Sequence, residues 1–74
     1  MKETNKKFSY KPLWKLLIDR EITKQKLREM TGLSPASISK LSKGHNVNTD
    51  VLLSICDVLD CRIEEIVEVV SNQE

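Results

Sequence analysis

This chain of 74 residues is poor in the residue types from which metal and cofactor sites are usually built. It contains one histidine, two cysteines, two glycines and three aromatic residues. Cys56 and Cys61 match neither the spacing of a zinc site nor a redox Cys-x-x-Cys motif. His45 has no second potential ligand at a sequence spacing typical of metal sites. Two isolated glycines do not make a phosphate-binding loop. We therefore expect no metal, no cofactor, no disulfide and no enzymatic activity.

Long apolar runs are also lacking. No stretch approaches the roughly 20 apolar residues needed to cross a membrane, and the basic N-terminus is not followed by the apolar segment of a secretory signal. We expect a cytoplasmic protein without membrane contact. The content of 39% hydrophobic and 31% charged residues fits one small globular domain with a modest core.

The charge is present but unevenly distributed. Residues 1–48 carry eleven lysines and arginines against four acidic residues, a net charge of +7, whereas residues 49–74 carry one arginine against seven acidic residues, a net charge of −6. Such a gradient can orient a domain on a polyanion. Two solvated faces with no partner explain it equally well, so the charge alone identifies no function.

The most informative stretch is residues 23–44. Thr23 is placed to cap one short helix, and Ser34 is placed to cap a second helix that opens with Pro35. Gly32 supplies the left-handed residue that ends the first helix, and Gly44 ends the second. Two helices of about eight residues joined by a tight glycine turn form a helix-turn-helix, the unit that presents its second helix to a DNA groove.

Two further helices flank this unit. The first runs from Pro12 to about Arg20 and leaves Glu21 in a strained left-handed position; the last starts after its cap Asn48 and ends near Asp60. Asn48 has an alternative role as a donor to the DNA backbone. Apolar residues at helical spacing predict the core, which includes Leu13, Leu16, Leu17, Trp14, Ile18, Ile22, Leu27, Met30, Leu33, Ile38, Leu41, Val51, Leu52, Ile55, Val58 and Leu59.

The two ends of the chain contain the strand-like segments. Residues 7–10 and 67–70 are aromatic or β-branched with partial alternation, and we expect them to pair as an antiparallel ribbon, within one chain or between two. The apolar tail 66–70 is the candidate dimer contact. The expected organisation is a flexible or stranded arm over 1–9, a DNA-binding domain over 10–70 with its helix-turn-helix at 23–43, and a tail over 71–74.

The pattern TKQKLREMTGLSPASISKLSKG followed by VNTDVLLSICDVLDC resembles the Cro-like phage-repressor, or XRE-like, helix-turn-helix family of bacterial and phage transcription regulators. The resemblance covers about residues 10–70 and is nearest to minimal single-domain members. It implies an all-α, lambda-repressor-like bundle of four or five helices, with the short two-stranded ribbon as an addition. Members of this family usually bind operator DNA as dimers.

The resemblance also implies which residues touch DNA. Lys24 stands where the family commonly has a glutamine, and Ser42 stands where an acidic residue usually makes an internal ion pair. Lys40 suits a guanine edge and Ala36 a thymine methyl group. The positions expected to face bases are Pro35, Ala36, Ser37, Ser39 and Lys40. The positions expected to contact phosphates, by resemblance or by their own chemistry, are Lys24, Arg28, Ser34, Lys43, His45 and Asn46.

Two functions are therefore compared. The first is a sequence-specific DNA-binding transcriptional regulator, a repressor, which inserts helix 35–42 in the major groove of double-stranded DNA as a homodimer without a small-molecule ligand. The second is a protein–protein interaction module, similar to an antitoxin or anti-repressor, that uses the acidic C-terminal half. The second would depend on Asp57, Asp60, Glu64, Glu65 and Glu68.

Overall fold

The computed structural model describes residues 5–72 as four α-helices, one 3₁₀ turn and a two-stranded antiparallel sheet. No helix in this range is long and apolar enough to cross a membrane. The helical bundle with a ribbon from the chain ends confirms the predicted fold. In chain order the elements are β1 Lys6–Ser9, α1 Lys11–Asp19, α2 Lys24–Thr31, α3 Pro35–Lys43, α4 Thr49–Leu59, the 3₁₀ turn Ile63–Glu65 and β2 Glu68–Ser71.

The predicted helix starts are largely confirmed. The Thr23 hydroxyl accepts a hydrogen bond from the Lys26 backbone N–H at 3.0 Å, which satisfies one of the free donors at the start of α2. The Ser34 hydroxyl accepts from the Ser37 N–H at 3.2 Å in the same way. Asn48 precedes α4 as expected, but its side chain makes no capping bond, so this part of the prediction is wrong. Its backbone carbonyl accepts from Val51 instead.

Each of the four helices is followed within two residues by a left-handed residue. Gly32 and Gly44 have φ of 74° and 75°, as predicted, and Glu21 has φ of 57°, which confirms the expected strain. Asp60, with φ of 51°, takes the same role after α4, where no glycine is present to signal the helix end. At Glu21, Gly44 and Asp60 the following residue donates back across the last turn, a paired-bond ending known as the Schellman motif.

One small core lies between the helices and the ribbon. Its side chains are almost fully enclosed, at most 7% exposed, because they project from the inward faces of α1–α4 and from the segments beside them. These residues are Tyr10, Leu13, Leu17, Leu27, Leu41, Leu52, Ile55, Leu59 and Ile66. Most of the other predicted core residues pack partly buried around them.

Three predictions about apolar residues are wrong. Ile18 is 74% exposed, because it lies about 140° around α1 from Leu13 and so falls outside the buried stripe. Met30 lies at the edge of the stripe on α2 and is 38% exposed. Ile66 is fully buried in the core of its own chain, so it does not contribute to a dimer contact.

The ribbon is formed within one chain. Phe8 lies opposite Val69 and Lys7 opposite Val70, in an antiparallel register whose strand ends differ by one residue from the prediction. Just after β1, the buried Tyr10 donates its hydroxyl hydrogen to the His45 carbonyl at 2.9 Å. This bond attaches the ribbon to the loop that follows α3.

Candidate nucleic-acid interface

The helix-turn-helix occupies α2, a three-residue turn and α3. The turn begins at Gly32, whose N–H donates to the Arg28 carbonyl at 2.8 Å and closes α2. Leu33 is half-buried beneath the turn, and Ser34 then starts α3. The prediction of two short helices with a glycine turn is confirmed by these contacts. The helix bounds are Lys24–Thr31 and Pro35–Lys43, the second one residue longer than predicted.

The two sides of α3 differ sharply in exposure. Leu41 is 1% exposed and Ile38 is half-buried, so this side holds the helix on the core. The opposite side carries four of the five residues predicted to face bases. The fifth, Ser37, lies one turn before Leu41 and is half-buried, and its backbone N–H and hydroxyl both contact the Ser34 hydroxyl. The remaining four are exposed: Pro35, Ala36, Ser39 and Lys40.

A shallow groove of about 230 Å³ adjoins this exposed side. Its walls come from α3, the following loop and the start of α4, and they include Ser37, Lys40, Asn46 and Asn48. The structure therefore brings the predicted base contact Lys40 next to two loop amides. The Asn48 side chain does not cap α4. Its other predicted role, as a donor to the DNA backbone, stays a prediction.

Lys24, a predicted phosphate contact, already has two side-chain partners within the protein. Its ammonium nitrogen lies 4.4 Å from the centre of the Trp14 ring and 3.3 Å from the Ser42 hydroxyl oxygen. The cation and the ring face attract each other through the ring quadrupole. Ser42, in place of the family's acidic residue, thus still contacts the start of α2, but through a neutral hydroxyl. The Lys24 side chain is nevertheless exposed.

The other predicted phosphate contacts are distributed around the same region. Lys43 is the last residue of α3, and the Lys43, His45 and Asn46 side chains are exposed. Lys40 and Lys43 both lie in the last turn of α3, where cations complement the helix dipole. Arg28 is half-buried in the last turn of α2, one turn beyond Lys24 on the same helix face.

Tyr10 stabilises the loop that carries His45 and Asn46. Burial raises the pKa of Tyr10 above its usual range, and a backbone hydrogen bond at Val47 opposes this effect. The hydroxyl is therefore a neutral donor at physiological pH, and its bond to the His45 carbonyl is kept. Within residues 5–72 there is no group of three side chains that could hold a metal ion.

Sequence reasoning missed the basic residues of β1 and the start of α1. Lys7 and Lys11 line the same groove as Lys43, although more than 30 residues separate them in the chain. The available signal was the pairing of residues 7–10 with 67–70, but that pairing does not reveal which helix the ribbon packs against. The tertiary structure is needed for this.

The comparisons with known proteins agree with this geometry. The model of the Cro/C1-type helix-turn-helix DNA-binding domain matches residues 12–72. The chain belongs to this family. The Cro/C1-type match begins at Pro12 and therefore does not include β1, Lys7 or Lys11.

A solved structure is similar over nearly the whole chain. It is the crystal structure of the transcriptional regulator VanUg, form II, with a TM-score of 0.92 and 42% sequence identity. The alignment covers 96% of this chain and 95% of that chain. A search of curated proteins gave no match. The Cro/C1-type assignment therefore rests on a family model and a structural neighbour that agree.

Proposed function

We propose that this protein is a sequence-specific transcriptional repressor that binds double-stranded DNA as a homodimer, with α3 in the major groove. The observation that carries the proposal is the two-sided character of α3. One side is held in the core by Leu41, and the other leaves Ala36 and Lys40 exposed. The similarity to the transcriptional regulator VanUg supports the same function. Because the ligand is DNA, the protein acts in the cytoplasm, as a binding protein and not as an enzyme.

The chemistry of the exposed side determines how sequence is read. Lys40 donates to guanine O6 and N7, and the Ala36 methyl group contacts a thymine methyl group. Ser37 and Ser39 donate to bases or phosphates with little preference. Pro35 has no side-chain donor, so each copy makes few strong base contacts. Sequence specificity therefore comes from two copies acting together on one operator.

The dimer contact is assigned to the outer side of the ribbon. Phe8 and Val69 lie directly opposite each other and are 39% and 62% exposed. Because side chains alternate along a strand, Phe8 and Val69 project from one side of the ribbon, and Lys7 and Val70 project from the opposite side. Burying Phe8 and Val69 against a second copy removes apolar surface from water. Light scattering tests this: Phe8→Ser with Val69→Thr is expected to give a monomer that keeps the fold.

The decisive experiment is a salt titration of binding to a random-sequence duplex, followed by selection from random duplexes. We expect micromolar or tighter non-specific binding that decreases steeply with salt. Selection is expected to return a two-fold symmetric site whose half-sites are about one helical turn apart. An operator placed over a promoter should then block transcription in a purified system.

Flat, negligible binding to duplex at low salt would contradict the proposal and favour the protein-interaction module. In that case the acidic residues after α4 are the surface to test. Two of them already have local partners: Glu65 accepts from the Arg62 N–H at 2.8 Å, and Glu64 lies 3.8 Å from the Arg62 guanidinium. This local pairing leaves fewer free carboxylates there for a basic partner.

A further inference from the structure

A groove of about 440 Å³ lies between the ribbon and the helical bundle, next to the end of α3; we call it the ribbon groove. Three lysines from three different elements line it: Lys7 from β1, Lys11 from α1 and Lys43 from α3. Among the described residues that form its walls, Glu68 is the acidic one. The ribbon groove therefore has a local excess of positive charge, which favours an anion.

The ribbon groove is continuous with the predicted phosphate-contacting surface. Trp14 and Ser42 both line it, and both contact the ammonium group of Lys24. Lys43, another predicted phosphate contact, is part of its wall. A DNA strand that passes Lys24 and Lys43 therefore passes the mouth of this groove.

The position of Lys7 is fixed by contacts that do not involve DNA. Its strand pairs with β2, where Lys7 lies opposite Val70. Directly after the strand, Tyr10 donates to the His45 carbonyl in the loop after α3. Lys11 begins α1, whose first turn contains no acidic residue to neutralise it. Both ammonium groups are thus carried on backbone that is held in place before a ligand arrives.

The walls also suit the remainder of a nucleotide. Trp14 lines the groove, is half-buried, and contributes aromatic surface to its wall. A deoxyribose presents an apolar face beside its charged phosphate. The combination of three lysines and the Trp14 ring is therefore suited to a sugar–phosphate backbone and not to a base edge.

We propose that the ribbon groove binds a phosphate of the DNA backbone next to those contacted by the helix-turn-helix, and that Lys7 and Lys11 are its binding residues. The proposal rests on the proposed function and extends the DNA contact to a part of the chain that precedes the matched family segment. The contact is independent of sequence, because a phosphate carries no base identity. It adds affinity and fixes the orientation of α3 on the duplex.

The test compares five proteins: the natural chain, Lys7→Gln, Lys11→Gln, the double variant that combines these two changes, and the control Lys15→Gln. Lys15 is exposed on α1, one turn after Lys11, and does not line the groove. Binding to a fluorescent random-sequence duplex is measured by anisotropy over a series of salt concentrations. Glutamine removes the charge but keeps an unbranched polar side chain that is one atom shorter, and thermal unfolding checks that each variant is folded.

Each groove variant is expected to reduce the slope of log K against log salt by about 0.9, and the double variant by about twice that amount. The order of preference among selected operators should stay the same. Lys15→Gln should leave the slope nearly unchanged. If the natural chain binds but Lys7→Gln and Lys11→Gln have the same slope as Lys15→Gln, the proposal that the ribbon groove binds a phosphate is overturned. The proposed function is then unaffected. Failure of the natural chain to bind would overturn both.

Discussion

The ammonium nitrogen of Lys24 lies 4.4 Å from the centre of the Trp14 ring and 3.3 Å from the hydroxyl oxygen of Ser42. These two contacts join the start of α2 to α1 and to the end of α3. Lys24 must therefore give up internal contacts to reach a phosphate. For Lys43, the part of the chain that the structure describes provides no such partner.

This difference predicts that Lys43→Gln weakens binding to any duplex more than Lys24→Gln does. An exposed cation–π contact is worth about 0.5–1 kcal/mol, which corresponds to about a 2- to 5-fold difference in affinity. Both variants should reduce the slope of log K against log salt by about 0.9, the amount expected for the loss of one phosphate contact. Anisotropy titrations at several salt concentrations measure both quantities. Equal losses of affinity would show that the contacts of Lys24 impose no cost on binding.

Lys40→Ala is expected to change which operators are preferred. The side chain is exposed on the outer side of α3 and is assigned to a guanine edge, so its loss should reduce discrimination at one base pair by about 1–3 kcal/mol. Lys43→Ala is the matched control, because it removes the same charge three residues later and should weaken all sites alike. The measurement is competition among single-base operator variants. An unchanged ranking for Lys40→Ala rules out its assignment to base readout.

Leu27→Ala is expected to lower the free energy of unfolding by about 2–5 kcal/mol, because the side chain is fully buried and its removal leaves a cavity. In a domain of this size that is a large share of the total stability. Ile18→Ala provides the comparison, since a side chain that is 74% exposed should change stability by no more than about 0.5 kcal/mol. Denaturant unfolding monitored by circular dichroism gives both values. Similar losses for the two variants would contradict the assignment of the core.

Glu21→Gly is expected to stabilise the protein by about 0.5–1 kcal/mol. Glu21 has φ of 57°, a left-handed conformation that is unfavourable for a residue with a Cβ, and this gain exceeds the extra chain entropy of glycine. Asp60→Gly should gain less, because aspartate tolerates the left-handed region better. Thermal unfolding of the two variants ranks them. The opposite order, or a loss of stability in Glu21→Gly, would mean that the Glu21 side chain makes a compensating contribution.

Cys61 is expected to react slowly with alkylating reagents in the folded protein. Burial, with a smaller contribution from the nearby Cys56, raises the pKa of the Cys61 thiol from 9.0 to about 11. The reactive thiolate is then about 100-fold scarcer at pH 8 than in the unfolded chain, and the rate should increase with pH until about pH 11. Peptide-resolved mass spectrometry after iodoacetamide labelling measures this rate, with urea-unfolded protein as the control. Equal labelling rates in the folded and unfolded protein would contradict the raised pKa of Cys61.

The predictions from sequence that were confirmed depend on local chemistry. Thr23, Gly32 and Ser34 determine the bounds of α2 and α3 through contacts within four residues, and such contacts can be read from a pattern. The strain at Glu21 was also predictable, because the helix must end there before Ile22 enters the core. Local signals therefore located the candidate DNA-binding unit.

The predictions that failed depend on which elements pack together. Ile66 was expected to take part in a dimer contact with the rest of the tail 66–70, but it is fully buried in the core of its own chain. Asn48 precedes α4 but its side chain makes no capping bond, and the residue lines the same groove as Lys40. Lys7 could not be linked to Lys43 from the sequence, since only the packing of the ribbon against the bundle brings them together.

The backbone N–H of Asn72 donates to the Asn5 carbonyl at 2.8 Å, so the described chain enters and leaves the domain at a single point. Any tag or extra domain attached before Asn5 therefore emerges beside one attached after Asn72. Both attachment points lie at one end of the ribbon, the element on which Phe8 and Val69 are assigned to a second copy. Fusion at either end carries the same steric cost for self-association, and a short covalent bridge between these two positions is geometrically accessible for circular permutation.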